Sequence, residues 1–387
     1  MNCAVRQLRS VAEVTPAAWN RLNAGGYPFL RHEFLLALEQ TGCVGAGTGW
    51  HTRHLLAEGD GLPIGAMPLY LKQHSMGEFV FDFAWAEAYQ RAGRHYYPKL
   101  VSAVPFTPVA GPRLLTADTD DDAKAAVETR LLRAACTQVD REGLSSLHVL
   151  FPDRQARDAM AAAGLLLRKA CQFRWHNAGY ASFDDYIGAM SAAKRKKIRR
   201  ERRRVAEQGI EVQTLTGAAL DPDRWHEIYP LYASTFALRG RAPYMTQAFF
   251  EQITRTMSDQ LIVSLAHRHG RLIAAAILFA DGDLLYGRHW GADADYHSLH
   301  FELCYYQGID YCIAHGLRAF DPGTQGEHKL ARGFLPHYSW SAHYLADPAF
   351  SRAVADFLQR EQPLVEYYAQ QMTVHGPFRD RQPPTGE

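Results

Sequence analysis

One succession of elements occurs twice in this 387-residue chain, and it constrains the fold more than any other feature. Residues 54–71 (HLLAEGDGLPIGAMPLYL) read as two apolar runs around a polar glycine turn, the chemistry of a β-hairpin. Residues 263–279 (VSLAHRHGRLIAAAILF) repeat the design, with Gly61 matching Gly270 at an offset of 209. A third strand ending in tryptophan and a small residue is predicted next, FVFDFAWA (79–86) in one copy and LLYGRHWG (284–291) in the other. Trp85 then matches Trp290 at an offset of 205. A helix, a Gly-Leu helix stop and another strand follow in both copies, and Gly143 matches Gly316 at an offset of 173. The falling offset assigns the first copy 32 additional residues, expected as a long insert at 90–120 that carries His95, Tyr96, Tyr97 and Lys99.

Length agrees with duplication, since single hydrophobic cores stop growing at roughly 250–300 residues. The expected domains are 1–178, holding the insert, and 179–387, holding a basic helix at 191–208 and a helical tail. Cys3, Cys43, Cys136, Cys171, Cys304 and Cys312 show no CxxC pair and read as reduced thiols. The first residues, MNCAVRQLRSVAEVTP, lack the apolar stretch of a secretory signal. No segment reaches the roughly 20 apolar residues of a membrane span. A soluble, cytoplasmic protein is expected.

Charge is unevenly distributed. Residues 194–204, KRKKIRRERRR, hold nine basic side chains and one acid, a local +8 in a chain whose total is +1. Such density reads as a cationic rod for a polyanion, with Lys196, Arg199, Arg200 and Arg203 as the anion-binding candidates.

The stretches GEFVFDFAWAEAY, RHYYPKLVSAVPFTPVAGPRLL, KRKKIRRERR, YGRHWGA, LHFELCYYQGIDYCI and GTQGEHKLARGF resemble the FemAB-like family, associated with peptidoglycan biosynthesis or recognition and with N-acyltransferase activity. The resemblance implies a mixed α/β chain of two tandem GNAT-like domains in the FemABX layout. It also implies acyl or aminoacyl transfer to an amine, with a small-molecule or peptide acceptor. The donor is read as aminoacyl-tRNA or acyl-CoA, or a nucleotide-linked substrate, with no tightly bound cofactor. Acetyl-CoA-dependent N-acetyl transfer is the alternative, and a non-catalytic RNA- or anion-binding protein is the rival from another class. tRNA and peripheral contact with a membrane are the partners in view. Two departures bear on the donor. The glycine-rich pyrophosphate loop of acetyl-CoA enzymes is replaced by ADADYHSLHFE (292–302), which has no glycine. Lys329 in HKLARGF is the nearest match to the FemABX Lys…Phe-Gly signature, at a different spacing.

Acyl transfer requires deprotonation of the amine, stabilisation of an oxyanion and alignment of two substrates. In this fold the donor lies where the fourth and fifth strands part. Glu302, Glu327, Lys329 and His289 are therefore the catalytic candidates, and Arg288, Trp290, Gln325, Asp82, Tyr97 and Lys99 the substrate-binding ones. Asp82, between Phe81 and Phe83, must face a partner or a cleft, because an unpaired buried charge is expensive. His297, His300 and Glu302 form HxxHxE, but no second ligand pair accompanies them, and no metal is assigned. GxSxG is absent.

Overall fold

Both predicted hairpins turn on two consecutive residues with positive φ. Asp60 and Gly61 stand at φ 50° and 79°, and His269 and Gly270 at 52° and 75°. Two such residues make the tight turn whose twist matches paired strands, and glycine takes the second at no steric cost. Each hairpin also carries a register shift that leaves one extra residue on its second strand, Ile64 in one copy and Ile273 in the other, again 209 residues apart. A bulge is a built feature of a sheet, so its recurrence at one offset is strong support for duplication.

The computed structural model describes residues 3–324 and 326–379. The strands are β1 (Cys3–Gln7), β2 (Trp50–Thr52), β3 (Leu55–Gly59), β4 (Leu62–Met67), β5 (Tyr70–Lys72), β6 (Lys99–Ser102), β7 (Leu115–Thr116), β8 (Ser146–Leu150), β9 (Leu166–His176), β10 (Ile210–Thr216), β11 (Leu261–Arg268), β12 (Arg271–Ala280), β13 (Leu284–Ala292), β14 (Ala319–Asp321) and β15 (Leu335–Leu345). The chain divides into unit 1, Met1–Ala170 with Tyr338–Glu366, and unit 2, Cys171–His337 with Tyr367–Glu387. Contiguous domains meeting at 178 were expected. Instead the chain changes unit within β9, within β15 and within the last helix, Pro348–Val374. The reason is pairing: Ser341–Leu345 complete the sheet of unit 1 against β8, while Trp175 and His176 pair with β14 in unit 2.

Unit 1 holds the sheet β1-β3-β4-β7 and the run β2-β5-β6-β8-β15. Unit 2 holds the run β10-β11-β12-β13-β14-β9. In each unit one parallel pair, β6–β8 or β13–β14, is joined through a long helix that ends on a left-handed glycine, Gly143 or Gly316. Apolar side chains from Leu55 to Ala342 form the core of unit 1, and those from Phe173 to Leu335 the core of unit 2.

The third-strand expectation fails in the first copy. FVFDFAWA is not a strand: Asp82 is the N-terminal flank of a helix, Phe83–Arg91, that carries Trp85. Its run of Ala, Glu, Gln and Arg favours a helix, and the aromatic alternation that suggested a strand leaves Phe81 and Phe83 exposed. The counterpart of β13 is divided. β6 supplies the part that pairs in parallel, and β7 supplies the part opposite the hairpin, where Gly65 meets Thr116 as Ala274 meets Ala292. Trp85 therefore has no equivalence to Trp290. The additional residues lie before and inside the fourth strand rather than in one insert at 90–120, half of which is sheet or core.

Candidate active site

In unit 2 the parallel strands part after a short contact. β13 and β14 pair only over Leu284–Tyr286 and Ala319–Asp321, while β13 runs on to Ala292 against β12. Just past the parting, Ile277 faces His289 and Leu278 faces Gly287, which leaves Arg288 as the extra residue of a bulge. Bulges re-aim side chains. The Arg288 guanidinium lies beside Gly323, where an added Cβ would be 4.0 Å from its Nη1. Lys329, on the turn Glu327–Arg332, donates from Nζ to the Gly323 carbonyl at 2.5 Å. Lys329 is 2% exposed, and desolvation brings its ammonium down to about 8 despite the opposing charge of Asp321. Asp321 in turn has Arg174 at 3.8 Å and accepts from the Gly323 amide at 3.0 Å. Two cations thus stand at the mouth of the parted strands.

The other candidates fall into separate surroundings. His289 packs with its ring 5.0 Å from Tyr232 and 6.0 Å from Phe250, and burial holds it well below the usual imidazole range. Trp290 packs on His300 at 5.3 Å, in a ring cluster that continues through Phe301, Tyr305 and His328. Glu302 is buried and binds Arg202 at 3.0 Å and Gln307 at 2.8 Å; burial raises its carboxyl. Glu327 is exposed and accepts from Tyr368 at 2.9 Å. Gln325 lies outside the described residues. His297 bonds to Arg204 and Ser298, so the HxxHxE residues do not converge. No group of three metal-binding side chains occurs among the described residues.

The basic run forms the helix Ala192–Glu207 and is not an all-round cationic rod. Ile198, Glu201 and Val205 face inward. Lys196, Arg199, Arg200 and Arg203, spaced i, i+3, i+4 and i+7, share the exposed face. Arg199 reaches Asp184 and Arg203 reaches Glu207, both solvent-exposed pairs worth little. Lys196 and Arg200 make no ion pair among the described residues. Inward-facing Glu201 accepts from Arg332 at 2.8 Å and from the Tyr306 hydroxyl, and Arg332 also bonds to the His328 carbonyl at 2.8 Å. Sequence reasoning missed this buried trio, although the one acid among nine cations was a signal.

In unit 1 the structure brings Asp82, Tyr97 and Lys99 together, facing inward. Lys99 Nζ donates to Ser75 and Glu78 at 2.8 Å each and to Asp82, which occupies all three of its N–H groups. Tyr97 bonds to Ser75 at 2.8 Å, and Tyr96 donates to Asp82 at 2.6 Å and lies 2.9 Å from His148. Glu78 is raised to about 7 because burial and the Asp82 charge outweigh Lys99; Lys72, desolvated nearby, is lowered to about 7. The place equivalent to the parted strands of unit 2 is filled. After β6 the chain packs Val104, Phe106 and Val109 into the interior, and fully buried Arg113 donates to the carbonyls of Val109, Pro112 and Leu150.

The family model FemAB-like, described as peptidoglycan biosynthesis/recognition, matches residues 10–380. Among solved structures, FemX is similar at TM-score 0.53 and 11% identity, covering 90% of this chain and all of that one. L-PGS from Bacillus licheniformis is similar at TM-score 0.51 and 12% identity, covering 88% and 96%. A tandem GNAT protein from the clavulanic acid biosynthesis pathway is similar at TM-score 0.45 and 12% identity, covering 90% and 99%. At these identities the likeness to FemX and L-PGS is one of fold, and it agrees with the duplicated mixed α/β architecture. No curated protein matches the sequence. No helix among the described residues is long and apolar enough to cross a membrane.

Proposed function

This chain belongs to the FemAB-like family, and from that premise we propose that it is an N-acyltransferase working at the parted strands of unit 2. The family and the shared fold support transfer of acyl or aminoacyl groups in general. The observation that carries the finer reading is the pair of cations at the mouth, Arg288 on its bulge and Lys329 pinned to Gly323. An acyl carbonyl placed between β13 and β14 would develop its negative charge beside them. Preorganised donors in a dehydrated site are the largest single contribution to most acyl transfers. The filled counterpart in unit 1 supports assigning the chemistry to unit 2 alone.

The donor we favour is aminoacyl-tRNA. The exposed cation row of Ala192–Glu207 suits a phosphate backbone, whereas Asp293 and Asp295 stand where a pyrophosphate would seek amides. The acceptor is an amine of a small molecule or peptide; the family description favours a peptide of the peptidoglycan type. The test is transfer of radiolabelled amino acid from a mixed aminoacyl-tRNA pool, or of acetyl from acetyl-CoA, to a panel of peptide amines. Lys329→Met should reduce transfer at least 100-fold, as expected for one lost oxyanion donor, with circular dichroism unchanged. Equal activity in Lys329→Met would remove Lys329 from the chemistry. RNA binding without transfer from either donor would leave the anion-binding alternative.

A further inference from the structure

The parted strands supply positive charge, yet acyl transfer to an amine also needs a proton acceptor, and the carboxylate candidates are poorly placed for it. Glu302 binds Arg202 and Gln307 through Oε1 and has Oε2 buried from solvent, and exposed Glu327 is held by Tyr368. His289 is enclosed by the rings of Tyr232 and Phe250. Another imidazole stands next to Lys329 itself. The ring of His328 lies flat over Gly326, where an added Cβ would come within 2.1 Å of its Cε1, so only glycine lets it occupy that position. Its Nε2 is 2.8 Å from the Tyr305 hydroxyl, and Arg332 Nη1 fixes its backbone carbonyl at 2.8 Å. The ring is held at one nitrogen and from beneath, while Nδ1 makes no hydrogen bond among the described residues and the residue is exposed.

We propose that His328 is the general base of this acyltransferase, accepting at Nδ1 the proton of the incoming amine, with Tyr305 as the positioning residue that fixes its ring. The inference rests on the acyl-transfer reading of unit 2. The incoming alkylammonium first gives a proton to His328 Nδ1, and the freed lone pair forms the new N–C bond while the carbonyl π pair moves to oxygen beside Lys329 and Arg288. The oxyanion then reforms the carbonyl and expels the donor's ester oxygen or thioester sulfur, which takes the second proton from the nitrogen as it leaves. The imidazolium returns its proton to water, and an acceptor that is already neutral does not need the first step. Tyr305 can accept from Nε2–H, the tautomer that leaves the Nδ1 lone pair free.

The electrostatics around the ring agree. Burial comes first in lowering its pKa, followed by the charges of Arg332 and Lys329. His300, with its ring 6.0 Å away, is itself pushed down to about 4 and adds no charge near neutrality, and burial keeps Tyr305 a phenol. His328 is therefore neutral and basic at pH 7.

The experiment uses the full chain with whichever donor the wild type accepts and two acceptors, ethylamine, which is protonated at neutral pH, and hydroxylamine, which is not. His328→Gln should slow transfer to ethylamine about 100-fold or more, the range of general-base catalysis, and leave transfer to hydroxylamine within a few-fold. Wild-type transfer to ethylamine should fall as pH drops through the His328 pKa, below the ordinary imidazole value, and His328→Gln should lose that limb. Tyr305→Phe should give a smaller loss with the same dependence on acceptor. Equal loss with both acceptors would show a merely structural role and overturn the proposal, as would no loss with either. A wild type that transfers to neither amine would overturn the acyltransferase reading, and the base with it.

Discussion

Replacing Lys99 by methionine should destabilise unit 1 by about 3–5 kcal/mol near pH 8, the usual cost of stranding one member of a buried ion pair. Lys99 is fully buried, and Asp82 and Glu78 are 2% and 3% exposed, so water cannot substitute for the lost ammonium. Methionine preserves most of the volume, which keeps cavity effects small. Glu78 contributes less to the penalty because its carboxyl, raised to about 7, can take up a proton near pH 8 at small cost. The cost falls on Asp82, whose carboxyl the Lys99 charge holds well below the usual range, and which would keep only the weaker support of the Tyr96 and Ser75 hydroxyls and of His148. A depressed carboxyl stabilises the fold above its unfolded pKa and loses that contribution as pH falls through its folded value. In the variant that depression is gone, so Asp82 protonates more readily and the gap from wild type should narrow toward pH 5. Urea unfolding at the two pH values, with hydrogen exchange of the β6 and β8 amides to isolate unit 1, gives the number. A difference under about 1 kcal/mol at pH 8, or one that does not narrow in acid, would refute the reasoning and return Lys99 to the set of ligand-binding residues.

Reversing Arg199, Arg200 and Arg203 to Glu should abolish binding to total tRNA in a filter assay and leave the fold intact, since all three are exposed. Wild-type affinity should fall steeply with salt as bound counterions are released. The stability of unit 1 should also depend on pH in two opposed windows. Glu78, raised from 4.5 to about 7, keeps in the folded state a proton that the unfolded chain releases, so its contribution falls as pH rises through that window. Lys72, lowered from 10.5 to about 7, has the opposite effect, and stability rises with pH between those values. Lys72→Met should flatten the rise above pH 7 in a series of urea midpoints, and Glu78→Gln the fall below it.

What the chain alone determined is what backbone chemistry makes local. Asp60-Gly61 and His269-Gly270 need positive φ for a two-residue turn, and Gly143 and Gly316 end helices in the left-handed region, so the duplication was legible as a spacing of glycines. The helix at 192–207 was equally plain, and GTQGEHKLARGF stood out as polar, glycine-containing chain where a strand ends. Tertiary structure decided everything that depended on a distant partner. Asp82 reads as an acid among aromatic residues until Lys99, 17 residues on, gives its buried charge a partner. Glu201 reads as one acid in a basic run until Arg332, 131 residues away, draws it inward and gives the helix a buried side. His148 finds His343 across 195 residues. His328 becomes a candidate base only when Tyr305 meets one nitrogen, Gly326 admits the ring, and burial with the charges of Arg332 and Lys329 lowers its pKa. A buried charge or an oriented imidazole is defined by its counterpart, and residue spacing along the chain does not say which counterpart folding will bring to it.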